Sequence, residues 1–221
     1  MDRVTLAAPD ARCATWCAVI APGTPLPTLY LIRHGETVWS RSGQHTGRSD
    51  IPLTAHGEAM ARKLAPSLAR VAFAHVLTSP SQRARDTGTL AISKPGAVID
   101  PDLGEWDYGR YDGLTTAQIH RHEPGWNVFA DGAPDGESVA DVRARADRLL
   151  TRLRAMAGPI ALFTHGQFGC ALAARWIGLA PGAGEHFALD PASISVLGPK
   201  PGHGTVPVIA RWNLIPDGCS G

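Results

Sequence analysis

The chain has 221 residues, enough for one sizeable domain built around a single core. Apolar residues at 44% and charged residues at 19% exclude a disordered, fully solvated chain. With 21 basic against 20 acidic side chains, no global field favours nucleic acid or an anionic membrane, so an anionic substrate would have to be held by local arginines.

The first 27 residues lack the basic start and continuous apolar core of a secretory signal. They read as a loosely ordered extension ahead of a domain spanning 28–221. No stretch reaches the roughly 18–20 apolar residues needed to cross a membrane. Cys13, Cys17, Cys170 and Cys219 match no zinc-ligand spacing, and read as reduced thiols of a cytoplasmic protein.

The apolar run 29–32 reads as a buried strand that ends abruptly in Arg33-His34-Gly35. Residues 36–53 look loop-like, since no period holds. Thr54 can cap a helix whose Met60, Leu64 and Leu68 recur at helical spacing. A second strand over 74–78 runs into Ser79-Pro80, where the next helix begins. Residues 97–100 suggest a third strand, and 103–136 is rich in Gly, Trp and Asp with a helical piece near 115–122. An amphipathic helix covers 137–156, with Val139, Val142, Ala146, Leu149, Leu150 and Leu153 on one face. Its arginine-rich opposite face is expected to be solvated. Another apolar strand over 159–164 ends in His165-Gly166, and a helix of small and apolar residues follows to about Ile177. Residues 192–197 and 206–213 alternate as an edge hairpin would. Strands alternating with helices predict a single-domain α/β fold with a mostly parallel central sheet.

Two strands far apart in sequence each end in a His-Gly pair. Were they neighbours in a parallel sheet, His34 and His165 would emerge side by side on its carboxyl edge, where open α/β sheets bind ligands. Phosphoryl transfer through a protein nucleophile needs an unprotonated nitrogen, cations around the equatorial oxygens, and an acid for the departing alkoxide. Histidine, with an ordinary pKa near 6.5, supplies the first. Arginine, which meets two phosphate oxygens at once, supplies the second. The spacing Ser79-Pro80-x-x-Arg83 puts Arg83 in the first turn of a helix beside a strand end. For the acid, Glu105, Asp107 and Asp112 compete within one turn-rich segment, and spacing alone does not choose.

The run Leu31-Ile32-Arg33-His34-Gly35-Glu36-Thr37 with Trp39 resembles the signature of the histidine phosphatase superfamily, in its phosphoglycerate-mutase-like branch. The resemblance continues in order through Thr46-Gly47, Asp50-Ile51-Pro52-Leu53-Thr54, Gly57, Thr78 to Thr87, Glu105 to Gly113, Gly136-Glu137-Ser138 and Thr164-His165-Gly166. It implies a three-layer α/β/α sandwich. His34 would be the nucleophile that becomes phosphohistidine, Arg33 and Arg83 the phosphate clamp, His165 a stabiliser of the transferring group, and Glu105 the acid, then base. Ser40, Thr46, Gly47 and Gly166 would contribute to substrate binding. No metal or other cofactor is implied. The wording Trp39-Ser40-x-Ser42-Gly43-Gln44 and Glu105-Trp106-Asp107-Tyr108-Gly109 is similar to bacterial acid phosphatases and sedoheptulose-bisphosphatase relatives, so hydrolysis of a small phosphorylated metabolite is expected ahead of mutase chemistry. A phosphate-binding module without turnover is the third alternative. The chain could pair as a homodimer through its late edge strands. The remaining histidines read as ordinary surface or core residues, with His45 the one placed in the expected substrate mouth.

Overall fold

Leu29–Arg33 (β1) and Ile160–Thr164 (β4) lie at the centre of the computed structural model, which describes residues 24–92 and 96–216. Every residue of β4 is buried, as expected of a strand covered on both faces, and this is why it reads as an unbroken apolar run. The sheet continues with His75–Thr78 (β2), Val98–Ile99 (β3), Ile194–Lys200 (β5) and His203–Leu214 (β6), in the order β3-β2-β4-β1-β5-β6. The first four of these neighbours run parallel, and β5 and β6 form an antiparallel hairpin at one edge.

Helices cover both faces. Ala55–Leu68 (α2) and Gln82–Ala91 (α3) bring Met60, Leu64, Leu68, Ala84 and Ala91 onto Ile32, Ala161 and Phe163. On the other face Val139–Arg154 (α6) and Gly166–Trp176 (α7) pack Val142, Leu149, Phe168 and Trp176 with Leu29, Leu31, Ile160 and Leu162. Alternate residues of β1 and β4 thus serve opposite cores, the period of two that a pleated strand imposes. The result is the three-layer α/β/α sandwich expected from the sequence.

Three expectations need correction. The stretch 36–53 is not all loop, because Val38–Ser42 (α1) is a helix. Five residues are too few for a period to register, and the helix is held by local chemistry instead: a reciprocal capping box between Thr37 and Ser40, and Gly43 in the left-handed conformation at its end. The helical piece near 115–122 shrinks to Thr116–Ile119 (α4), and Val128–Asp131 forms a further short helix (α5). The arginine face of α6 is not simply solvated. Arg145 is buried and makes two hydrogen bonds to Glu137, at 2.7 and 2.6 Å, while also donating to the carbonyls of Asp102 and Gly104. Arg148 and Arg152 pair with Asp102, and Arg152 also with Asp100. Asp100 and Asp102 sit at a short 3-10 turn and Glu137 just ahead of α6, so the apolar stripe of the helix does not announce them.

Of the expected extension, residues 24–27 lie against the domain: Leu26 donates its N–H to the Gly204 carbonyl at 2.9 Å and Pro27 is buried. Residues 1–23, with Cys13 and Cys17, and the tail with Cys219 lie outside the described residues. Among the described residues no helix is long and apolar enough to cross a membrane.

Candidate active site

The sheet register decides where the histidines stand. Arg33 is level with Thr164, and the His34 N–H donates to the Thr164 carbonyl at 3.0 Å, so His34 and His165 leave β1 and β4 at the same height. Their ring centroids are 5.2 Å apart. On the far side of β4, Ser79 follows β2 at the same level, and its Oγ lies 2.7 Å from His165 Nε2. Ser79, His165 and His34 therefore form a row along the carboxyl edge. The polar residues that end three apolar strands are brought together by pairing alone.

His34 Nδ1 lies 2.7 Å from the Gly35 carbonyl. A carbonyl oxygen only accepts, so Nδ1 carries the proton and Nε2 keeps its lone pair. Burial, then the charges of Arg83 and Arg33, hold the His34 pKa well below its ordinary value. Burial and the same arginines depress His165 likewise. Both rings are thus neutral at physiological pH. With His165 neutral, a Ser79 O–H donated to Nε2 leaves a proton on Nδ1, and Nδ1 is buried without a partner.

The loop joining β1 to α2 is fastened by the elements around it. A side chain on Gly35 would collide with the Gly57 carbonyl, and one on Gly57 with the Glu36 backbone. The two chains touch here as only paired glycines permit. Thr87 Oγ1, on α3, accepts the Gly35 N–H at 3.0 Å and donates to the Arg83 carbonyl at 2.7 Å, tying the turn after His34 to the first turn of α3.

Arg83 is fully buried in the first turn of α3. Its Nη atoms donate to the carbonyls of Ser49 and Thr46 at 3.0 Å each, and of Gly47 at 3.3 Å, while Nε is buried without a partner. Arg33 donates through Nη1 to the Leu189 carbonyl, and its Nε is likewise buried and unpartnered. A Cβ on Gly166 would come within 3.3 Å of that guanidinium, so the glycine leaves room for Arg33 to lie against the start of α7. Burial lowers the pKa of both arginines, opposed first by the charge of Glu105. Unsatisfied buried donors are costly. The Nε–H groups of Arg33 and Arg83 are two of them, on cations that act on the His34 ring, and His165 Nδ1 is a third unpartnered buried atom; together they suit an anion with several acceptor oxygens.

The three competing carboxylates separate in space. Glu105 accepts the N–H groups of Gln167 at 3.1 Å and Phe168 at 2.7 Å, at the start of the helix that follows His165. Asp107 pairs with Arg48 at 2.7 Å, and Asp112 holds the 46–49 loop. A cleft of about 470 Å³ lies next to the histidine row, lined by Gly47, Arg48, Ser81, Glu105, Asp107 and Arg145 among others but not by His34, Arg33, Arg83 or His165. Ser40 is placed differently: its hydroxyl accepts from Thr37 N–H at 2.9 Å and donates to the Thr37 carbonyl at 3.1 Å, within α1. His45 stacks on Tyr108 with centroids 4.6 Å apart, and burial pushes its pKa down to about 4. The Tyr108 hydroxyl is buried without a partner, and burial followed by Glu105 raises its pKa well above the ordinary value. Trp106 and Trp126 are buried in the core, as their apolar bulk suggests. Among the described residues no three His, Cys, Asp or Glu side chains are grouped to hold a metal ion.

Ser79, Thr87 and Tyr108 are contributors that sequence reasoning left without a role, and Asp112, weighed there as the acid, instead holds the 46–49 loop. Ser79 carried a signal, a hydroxyl at the end of an apolar strand beside two such histidine strands. Asp112 carried none, because its partners lie more than 60 positions away.

Comparison with known proteins gives the family. Residues 29–214 match the model of the histidine phosphatase superfamily (branch 1), and the chain belongs to that family. It is 42% identical over 174 residues to an acid phosphatase of Mycobacterium tuberculosis, covering 77% of this chain and 85% of the relative. It is 33% identical over 185 residues to sedoheptulose 1,7-bisphosphatase of Saccharomyces cerevisiae, covering 69% of this chain and 68% of the relative. The solved structure of the Mycobacterium tuberculosis open reading frame Rv3214 superposes with a TM-score of 0.79 at 37% identity, over 86% of this chain and 98% of the other.

Proposed function

We propose that the protein hydrolyses small phosphomonoesters through a phosphohistidine formed on His34, without a metal. The observation that carries this is the ligand-ready row at the sheet edge: a neutral His34 with Nε2 free, beside buried, unpartnered donors on Arg33, Arg83 and His165. Nε2 attacks phosphorus in line, and the P–O bond to the alcohol breaks as the N–P bond forms. Arg33, Arg83 and the His165 Nδ1–H neutralise the equatorial oxygens. Glu105, at the mouth of the cleft, gives its proton to the departing alkoxide. It then takes one from the water that cleaves the phosphohistidine and returns His34 to its starting state.

The relatives' names favour an acid or sugar-phosphate phosphatase acting on a small phosphorylated metabolite. We read the compartment as cytoplasmic. The exposed outer strand β6 is the edge through which a second copy would pair into a homodimer.

Turnover of an aryl phosphate in the presence of EDTA, with alkaline quenching of 32P-labelled substrate, tests the mechanism. The label is expected on the wild-type chain and absent from His34→Ala, whose kcat falls at least about 10⁴-fold. Substantial surviving turnover in His34→Ala, or loss of activity with the chelator, would overturn it. Offering 3-phosphoglycerate in the same assay separates the mutase alternative: release of inorganic phosphate should outpace isomerisation.

A further inference from the structure

Asp112 lies in the same turn-rich segment as Glu105 and Asp107, yet its carboxylate reaches across to the loop that faces Arg83. Its Oδ1 accepts the Gly47 N–H at 2.7 Å, and its Oδ2 accepts the Ser49 N–H at 3.0 Å and the Ser49 hydroxyl at 2.7 Å. The same loop turns its carbonyls the other way, with Thr46, Gly47 and Ser49 all accepting from the Arg83 guanidinium. One peptide unit takes part in both sets: the Thr46 carbonyl faces Arg83 while the Gly47 N–H of the same peptide faces Asp112. A peptide carries a dipole of about 3.5 D. Set with its oxygen on a cation and its N–H on an anion, that dipole has one favoured orientation. The loop is therefore polarised between two opposite charges, and the guanidinium is fixed by acceptors that are themselves fixed.

We propose that Asp112 is a positioning residue for phosphate recognition, orienting Arg83 through the Thr46–Gly47 peptide so that its Nε–H stays free for a phosphate oxygen. This rests on the reading of the His34 row as a phosphate site. Without the carboxylate, two loop N–H groups lose their acceptors and the Thr46–Gly47 peptide is free to turn. Its carbonyl then leaves Arg83, and the arginine samples other positions. Neighbouring contacts keep the rest of the loop in place: the His45 N–H donates to the Leu114 carbonyl at 2.8 Å, and the Gly113 N–H donates to the His45 carbonyl at 2.8 Å. The loss should therefore fall on phosphate binding more than on folding.

The test compares wild type with Asp112→Asn, a variant of the same shape that can accept through only one oxygen, by calorimetric titration with inorganic phosphate and by kinetics on an aryl phosphate. The phosphate Kd and the KM should each rise about tenfold, as loss of charge-assisted hydrogen bonds implies, with a smaller change in kcat. In an Arg83→Ala background the same substitution should change kcat/KM less than about twofold, because the group it acts through is gone. Equal losses in both backgrounds, or an unchanged phosphate Kd, would sink the proposal. If Asp112→Asn fails to fold, Ser49→Ala removes one of the three hydrogen bonds and should raise the phosphate Kd about two- to threefold, with no rise counting against the proposal. Failure of the wild type to bind phosphate at all would instead overturn the reading of the site.

Discussion

At the scale of the residue, the site works by choosing protonation states through burial. His34 needs no carboxylate to hold its tautomer, because the carbonyl of its own neighbour Gly35 does so. His165 shares a hydrogen bond at Nε2 with the Ser79 hydroxyl, and with that hydroxyl as donor the ring proton sits on Nδ1. Ser79→Ala would leave that nitrogen without a donor and let the Nδ1 proton move to it, turning a donor toward the substrate into an acceptor. A loss of about tenfold in kcat is expected, matching one hydrogen bond of 1–1.5 kcal/mol in the transition state. Steady-state kinetics with little change in melting temperature would confirm it, and full activity would show that His165 is oriented by other means.

At the scale of the element, what the sequence discloses depends on periodicity. Strands β1 and β4 were legible because burial on both faces demands an unbroken apolar run, and their terminal histidines stand out against it. Helix α6 was legible from its apolar face. The partners of its arginines were not, since Asp100 and Asp102 lie at a short 3-10 turn and Glu137 just ahead of the helix, where no apolar period points to α6. Arg145 shows the consequence. Its guanidinium holds Glu137, stacks 4.0 Å over the Phe168 ring and accounts for the carbonyls of Asp102, Gly104 and Glu105, so it shapes the backbone that carries Glu105. Arg145→Ala strands a largely buried carboxylate and should cost about 3–5 kcal/mol in a urea titration. Arg145→Lys should recover only part of this, because an ammonium cannot reproduce the forked contact with Glu137. A change below about 1 kcal/mol for the alanine variant would show the network to be dispensable.

At the scale of the molecule, the depressed pKa values of His34 and His165 tie stability to pH. In the unfolded chain each histidine takes up its proton near pH 6.5, but in the folded chain only well below that. Below about pH 6.5 the unfolded state therefore binds more protons, and stability falls as pH falls, by up to about 1.4 kcal/mol per pH unit for each histidine. The nucleophile stays neutral over the same range. The expectation is a urea midpoint that declines from pH 7 to 5.5, with a shallower decline in His34→Gln. A midpoint unchanged across that interval would show that the buried rings are protonated in the folded state.

The contacts between residues 44–49 and 112–115 also bear on how this scaffold can be diversified. Gln44 donates to the Gly113 carbonyl and His45 to that of Leu114, and Gly47 and Ser49 donate to Asp112. The 112–115 segment and the loop whose carbonyls hold Arg83 are thus one interlocked module, though they are far apart along the chain. A graft of residues 106–136 from another phosphatase would import a foreign partner for a resident loop. Recombination that moves both stretches together keeps the interlock, so libraries aimed at new substrates should treat residues 44–49 and 106–136 as a single inherited unit.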